Sequence, residues 1–152
     1  MGKGLLQVGC GVLGVCSTIC AAQDKGYWRA ASSNASKITG DITISESRLT
    51  INFTGYSLAP IRKIAAEEVS SVFDVDVNQA GTGNVYRLKI PGDKRFLHHN
   101  TLCGSEDVQW MVTYTEDHTL HVALFSGTDV PVLNHDALAS STDVCGVFAY
   151  ER

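Results

Sequence analysis

Residues 108–124 read VQWMVTYTEDHTLHVAL, and this stretch carries the strongest signal for the fold of the chain. Large side chains recur at every second position from 108 to 114 and again from 120 to 124. The Glu116-Asp117 step between the two runs is a turn signal. A repeat of two places alternate side chains on opposite faces of a strand, so the stretch predicts two half-buried β-strands joined by a turn.

The same repeat recurs along most of the chain. It is found at Ile42 and Ile44, at Leu49, Ile51 and Phe53, at Tyr86, Leu88 and Ile90, and at Val147 and Ala149. Short turn signals rich in glycine, proline or acidic residues separate these runs. We therefore predict a mainly β protein, an antiparallel β-barrel or sandwich of about seven or eight short strands with one disulfide and at most a short helix.

Residues 60–77 follow the pattern less clearly. Residues 61–68 could form one or two helical turns, whereas residues 72–77 return to strand chemistry, with Phe73, Val75 and Val77 on the inner face. Asp74, Asp76 and Asn78 would then share the outer face. Because the glycine and glutamate of a calcium loop are missing after them, we interpret them as a solvated strand face.

The first 22 residues are typical of an export signal. Lys3 precedes an apolar run over residues 4–19, and the small residues Cys20, Ala21 and Ala22 precede polar Gln23. We predict a signal peptide over residues 1–22, cleaved near Ala21 or Ala22, and a single β-rich domain over residues 23–152. The expected location is periplasmic or secreted. A membrane anchor, a lipidated cysteine and a buried core segment are the alternatives.

Three of the five cysteines lie in this leader, and Cys103 and Cys145 stand alone in the rest of the chain. An oxidising compartment would let these two form a disulfide, with two free buried thiols as the alternative. Both precede a glycine, which favours a bridge packed against close backbone over a catalytic thiol.

Charge excludes several classes of partner. Residues 23–152 hold 11 basic and 16 acidic residues, a formal charge of −5. Nucleic acids and anionic lipids both require concentrated positive charge, so we expect neither as a partner. We also expect no stable membrane insertion after cleavage. A protein partner or a small ligand of the cell envelope fits better, while the oligomeric state is left open.

No stretch matches a cofactor, metal or catalytic motif. His98 and His99 would point to opposite faces of a strand, as would His118 and His121, so we predict no metal site. Tyr27, Trp28, Trp110 and Tyr114 are interpreted as core aromatics, with a ligand groove as the alternative.

The longest connection spans residues 128–143 and reads as irregular. Long loops in compact domains are often functional, so Asp129, Asn134, His135 and Asp136 form our candidate binding loop. A small hydrolase that uses His135 and Asp136 with Ser140 or Ser141 is the enzymatic alternative.

Four segments carry a resemblance to known proteins: ITGDI (38–42), NTLCG (100–104), FSG (125–127) and CGVFAYER (145–152). With them, residues 27–152 resemble a group of small exported bacterial β-domain proteins of uncharacterised function. The overall plan is also similar to that of the periplasmic C-type lysozyme inhibitors. Thr54-Gly55-Tyr56 is shorter than the Ser-Gly-x-x-Tyr loop of those inhibitors, so their inhibitory residues do not transfer to this chain.

These patterns together favour a non-catalytic binding domain of the cell envelope. Inhibition of, or immunity against, a cell-wall hydrolase is its most specific form, because that role needs a shaped loop and no cofactor. A structural envelope component, which would associate through an exposed sheet edge, is a further alternative.

Overall fold

The computed structural model describes residues 23–152, so the predicted signal peptide and its three cysteines lie outside the described residues. Nine strands are present: β1 (Gly26–Ala30), β2 (Ile42–Ile44), β3 (Arg48–Ile51), β4 (Thr54–Ser57), β5 (Ala59–Ile64), β6 (Gly83–Ile90), β7 (Val108–Glu116), β8 (Thr119–Phe125) and β9 (Val144–Glu151). The helices are α1 (Ser33–Ile38), α2 (Ala66–Phe73) and α3 (His135–Ser140). The mainly β prediction is confirmed, with nine strands rather than seven or eight and three short helices rather than at most one.

All nine strands belong to one antiparallel sheet in the order β4-β3-β2-β1-β9-β8-β7-β6-β5. Every neighbouring pair is consecutive in the chain except β1 and β9, which pair through Arg29 with Glu151 and Ala30 with Tyr150. This meander needs only short connections, which is the usual way to build an antiparallel sheet.

The two edge strands of the sheet, β4 and β5, follow each other in the chain with only Leu58 between them. The antiparallel pairings give both strands the same direction, so together they act as one strand that changes partner at Leu58, from β3 to β6. Leu58 is buried in the core, and β4 lies near β6. The sheet therefore curls toward a barrel without closing its hydrogen-bond ladder.

The concave side of the sheet holds the first of two cores, which we call the inner core. It contains Trp28, Ile42, Ile44, Leu49, Ile51, Leu88, Met111, Leu120, Val122, Phe148 and other apolar side chains. The predicted alternation accounts for it: Ile42 and Ile44 are buried, while Thr43 between them is exposed. Trp28 is fully buried, as the core interpretation of this aromatic predicted.

A second core, the outer core, lies on the convex side of β6 to β8. Trp110, Val112 and Tyr114 contribute to it from β7, and Val69 of α2 and Leu133 of the long loop cover them. Strand β7 is consequently buried on both faces, rather than half-buried as its sequence predicted. The covering segments are far away in sequence, so a repeat within one strand cannot reveal them.

The prediction for residues 60–77 was wrong in its placement of elements. Residues 59–64 form strand β5, and the helix follows at Ala66–Phe73. Glu68 fixes the start of this helix, because its carboxylate accepts the Ala65 N–H at 3.3 Å and pairs with the Arg62 guanidinium at 2.7 Å.

Residues 74–77 form no strand, although their alternation is typical of one. Asp74 ends α2 in the left-handed conformation, and the Asp76 carboxylate accepts the Asn78 N–H at 2.9 Å in the turn that follows. These local bonds compete with strand pairing, so Asp74, Asp76 and Asn78 are turn residues rather than a strand face.

Two further expectations fail at turns. Phe53, expected on the inner face of β3, lies with Asn52 in the two-residue turn between β3 and β4 and is fully exposed. His98 and His99, expected on a strand, lie in the 3₁₀ turn Leu97–His99 with φ angles of 56° and 61°. A period-two pattern does not mark where a strand gives way to a turn.

Candidate functional site

The loop over residues 128–143 leaves the sheet after β8 and returns at β9, and its underside packs against the outer core. Leu133 is only 5% exposed and packs into the outer core, where Leu138 of α3 joins it. The Asn134 side chain caps α3 by accepting the Ala137 N–H at 2.8 Å. This connection was predicted to be irregular, but residues 135–140 form a helix and the loop has a fixed shape.

The end of the loop is tied to the connection between β6 and β7 by the Cys103–Cys145 disulfide, whose Cα atoms are 4.7 Å apart. The predicted bridge is confirmed. The Ser126 N–H also donates to the Asp143 carbonyl at 2.8 Å, so the two ends of the loop lie side by side. Both ends of the candidate loop are thus fixed to the scaffold, which lowers the conformational entropy that binding would cost.

The four residues of the candidate binding loop do not form one cluster. Asp129, Asn134, His135 and Asp136 are all exposed, but of these only Asp129 lines the cleft described below. Asn134 acts as the helix cap, and His135 and Asp136 occupy the first turn of α3. Asp136 there is stabilised by the free N–H groups of the helix start.

The hydrolase alternative depends on contact between His135 and a nearby serine. The Ser140 hydroxyl instead donates to the carbonyls of Asp136 and Ala137, and the Ser141 hydroxyl accepts the Asp143 N–H. Within residues 23–152, no hydrogen bond joins His135 to either serine. The geometry thus assigns these two hydroxyls to local backbone bonds.

Two adjoining clefts lie along the loop and the convex side of the sheet. The first, about 330 Å³, lies between residues 129–132 and residues 137–143. The second, about 220 Å³, continues past α3 to α2 and β9, and both clefts include Phe125, Leu138 and Ser141. Apolar side chains are therefore exposed along one continuous path.

Four valines line this path and remain in solvent: Val130, Val132, Val144 and Val147. We call them the valine face. Val132 is the most exposed, at 63%. Single exposed valines are ordinary on a protein surface, but four that border two joined clefts form the kind of apolar patch that marks an interaction site.

The segment that carries the valine face is acidic, and the described basic residue bonded to the loop is Arg87, whose guanidinium donates to the Thr128 carbonyl at 3.5 Å. Residues 96–151 contain eight acidic residues and neither lysine nor arginine. Asp129, Asp136 and Asp143 lie in the loop itself, and none of them forms a salt bridge with any residue in the range 23–152. The acidic surplus of the chain is thus concentrated on the segment that holds the loop, and this field attracts basic partners.

His135 begins α3 within the loop, and the other four histidines lie outside residues 128–143. His121 of β8 packs against the rings of Phe73 and Tyr114, with centroid distances of 5.8 and 5.7 Å. Burial lowers the pKa of this imidazole. Among the described residues, no group of three or more histidine, cysteine or acidic side chains is placed to hold a metal ion.

Comparison with known proteins gives no match to a protein-family model, a curated protein or a solved structure. In the part of the chain that the structure describes, no helix is long and apolar enough to cross a membrane.

The sequence interpretation located the loop and missed the residues that make its surface. Val130 and Val132 flank Pro131, and Val144 and Val147 lie at the start of β9. A run such as Val-Pro-Val is equally compatible with a buried strand end, so its exposure could not be deduced. A second surface, around Tyr27 and Phe53, also escaped prediction because both aromatics were assigned to the core.

Proposed function

We propose that this protein is a non-catalytic binding domain of the cell envelope, and that the valine face with its acidic surroundings binds a basic protein. The observation that supports this most strongly is the fixed 128–143 loop, whose underside is buried through Leu133 while Val130 and Val132 remain in solvent. A surface held rigid on one side and left apolar on the other suits a partner's anchor side chain.

The chemistry of the partner follows from the charge. Asp129 and Asp143 line the first cleft beside the valines, and neither forms an ion pair with a described residue. The complementary surface therefore has a protruding apolar side chain next to lysine or arginine. Many enzymes that cleave cell walls act on an anionic polymer and need basic surfaces for it. Inhibition of, or immunity against, such a hydrolase is the specific form of the proposal.

The cellular setting belongs to the same proposal. The Cys103–Cys145 bridge fits an oxidising compartment, and the sequence pattern of residues 1–22 favours export to reach one. In that compartment the partner would be met outside the cytoplasm, where cell-wall hydrolases act.

A panel of purified lysozymes and cell-wall amidases tests the proposal. The oxidised full chain is immobilised, binding is measured by interferometry, and each bound enzyme is assayed for the clearing of a cell-wall suspension with and without the chain. We expect one enzyme to bind and to lose activity in proportion to its occupancy. If every enzyme in the panel fails to bind, or the bound enzyme retains full activity, the inhibitor form is wrong.

Asp129 and Asp117 offer a matched pair of charge variants. Both carboxylates are exposed, but Asp117 lies in the turn between β7 and β8, at the other end of β8 from the loop. Asp129→Asn should lower the association rate about two- to fivefold and weaken its salt dependence, because one steering charge is removed. Asp117→Asn should leave both unchanged. Equal effects of the two variants would contradict the placement of the binding surface.

A further inference from the structure

A third cleft, of about 330 Å³, lies on the convex side of the sheet at β1 to β3, with Thr39 at the end of α1 and Leu97 of the 3₁₀ turn at its border. Its floor is a row of side chains from three neighbouring strands, because Tyr27 is opposite Thr43 and Thr43 is opposite Thr50. The turn Asn52-Phe53 and the residues just before β2, including Asp41, form its sides. Its volume is at the small end of the range for ligand pockets.

Two exposed aromatic rings border this cleft. Tyr27 is 57% exposed and Phe53 is fully exposed. Neither ring gains core packing, in contrast to Trp28 on the other face of β1. Two exposed rings that border one concave surface form an apolar patch of the kind that marks a ligand-binding groove.

The backbone at Phe53 strengthens this argument. Asn52 and Phe53 both have positive φ angles, 48° and 64°, in a two-residue hairpin turn. Such turns favour glycine at the second position, because a side chain in the left-handed region is crowded. Here a phenylalanine occupies the strained position with its whole ring in solvent. Backbone strain of this kind is typical of positions where the side chain has a function.

The cleft offers polar groups that can bond to the hydroxyl groups of a ligand: one carboxylate held in position, and three side chains without a hydrogen-bond partner among the described residues. The Asp41 carboxylate accepts the Tyr27 hydroxyl and the Ala30 N–H, and these two bonds lower the pKa of Asp41. An ionised acceptor is therefore held in position. Among residues 23–152, the side chains of Thr43, Thr50 and Asn52 find no hydrogen-bond partner, so their donors and acceptors remain available to a ligand.

We infer that this cleft binds a neutral saccharide chain. Sugar rings present apolar C–H faces, which pack on aromatic rings, and hydroxyl edges, which bond to carboxylate, amide and hydroxyl groups. No lysine or arginine lines the cleft, and Asp41 opposes an anionic ligand. The site is separate from the valine face and does not depend on the partner proposed for that face.

Titration of the oxidised full chain with chitohexaose and cellohexaose, two neutral β-linked oligosaccharides, tests this inference. Isothermal calorimetry gives the affinity, and NMR identifies the resonances that shift. We expect at least one oligosaccharide to bind at up to millimolar concentration and to shift the Tyr27 and Phe53 ring signals. If neither binds, or if the shifts fall on the 128–143 loop instead, the inference is overturned.

Phe53→Gly separates binding from folding, because glycine relieves the strained turn while it removes the ring. We expect the variant to lose at least tenfold in saccharide affinity while its unfolding midpoint stays equal or rises. Tyr27→Phe, which removes only the hydroxyl that orients Asp41, should weaken binding less. Ile61→Gly, at an exposed apolar residue on β5, is the control for saccharide affinity and should leave it unchanged. Unchanged affinity in Phe53→Gly would refute the site.

Discussion

Removal of the Cys103–Cys145 bridge by the double change to serine should destabilise the protein strongly. The two cysteines are 42 positions apart. In the chain-entropy model, the loss of a loop constraint of this size costs about 4 kcal/mol. For the described residues, an unfolding entropy of about 0.27 kcal/mol/K follows from the usual value per residue, so the melting temperature should fall by about 15 °C.

Differential scanning calorimetry of the oxidised protein, the reduced protein and the double variant measures this effect. Reduced protein and variant should melt at nearly the same temperature, because both lack the same constraint. A decrease of less than about 5 °C in both samples would show that the unfolded chain is already restricted without the bridge. It would also refute the loop-closure reasoning behind the predicted decrease.

Two further predictions concern the outer core. Leu133→Ala should lower the free energy of unfolding by about 2–3 kcal/mol, because it opens a cavity beneath the loop. Val132→Ala, at the neighbouring exposed position, should change that energy by less than about 0.5 kcal/mol. Urea unfolding of both variants measures the two changes, and equal decreases would contradict the burial of Leu133. His121 has a lowered pKa in the folded state, so as the pH falls through 6.5 the unfolded chain takes up the proton first and stability decreases. His121→Phe should remove this decrease between pH 6.5 and the folded pKa, although nearby Glu116 opposes it in the wild type. Identical pH dependence of urea unfolding in variant and wild type would show that His121 does not contribute to it.

The inner core could be predicted from the sequence because its strands alternate. Ile42, Ile44, Leu49 and Ile51 each have a polar neighbour that faces solvent. The local alternation is therefore enough to predict that these four side chains are buried. Phe53 continues the same spacing, but its predicted burial is wrong because a two-residue turn interrupts the strand at Asn52. Asparagine accepts the left-handed conformation that the turn requires, but it is a weaker turn signal than glycine would have been.

The outer core could not be predicted, because it depends on contacts between distant segments. Val69 of α2 and Leu133 of the loop cover β7, although 41 and 23 positions separate them from Trp110. The helical prediction for residues 61–68 and the strand prediction for residues 72–77 were wrong for the same reason. Residues 61–64 pair with β6 and become a strand, whereas residues 72 and 73 pack on the sheet as the end of a helix.

The sequence predicted where the candidate site lies, but not which residues form its surface. Length and polarity indicated the 128–143 loop, and the Cys103–Cys145 pair indicated where it is anchored. The polar residues chosen within it, Asn134 above all, serve the local structure of the loop. Exposure of Val130 and Val132 results from the burial of Leu133 beside them, and this arrangement exists only in the folded chain.

The most direct test of the valine face compares the affinities of Val132→Asn and Ile61→Asn for a hydrolase that binds the wild-type chain. Both positions are exposed and apolar, at 63% and 46%, but only Val132 belongs to the valine face. Val132→Asn should bind about ten- to a hundredfold more weakly, because the complex then buries a polar amide where the wild type buries two methyl groups. Ile61→Asn should bind like the wild type. Wild-type affinity in Val132→Asn, or an equal decrease in both variants, would contradict the proposal that the protein binds its partner through this face.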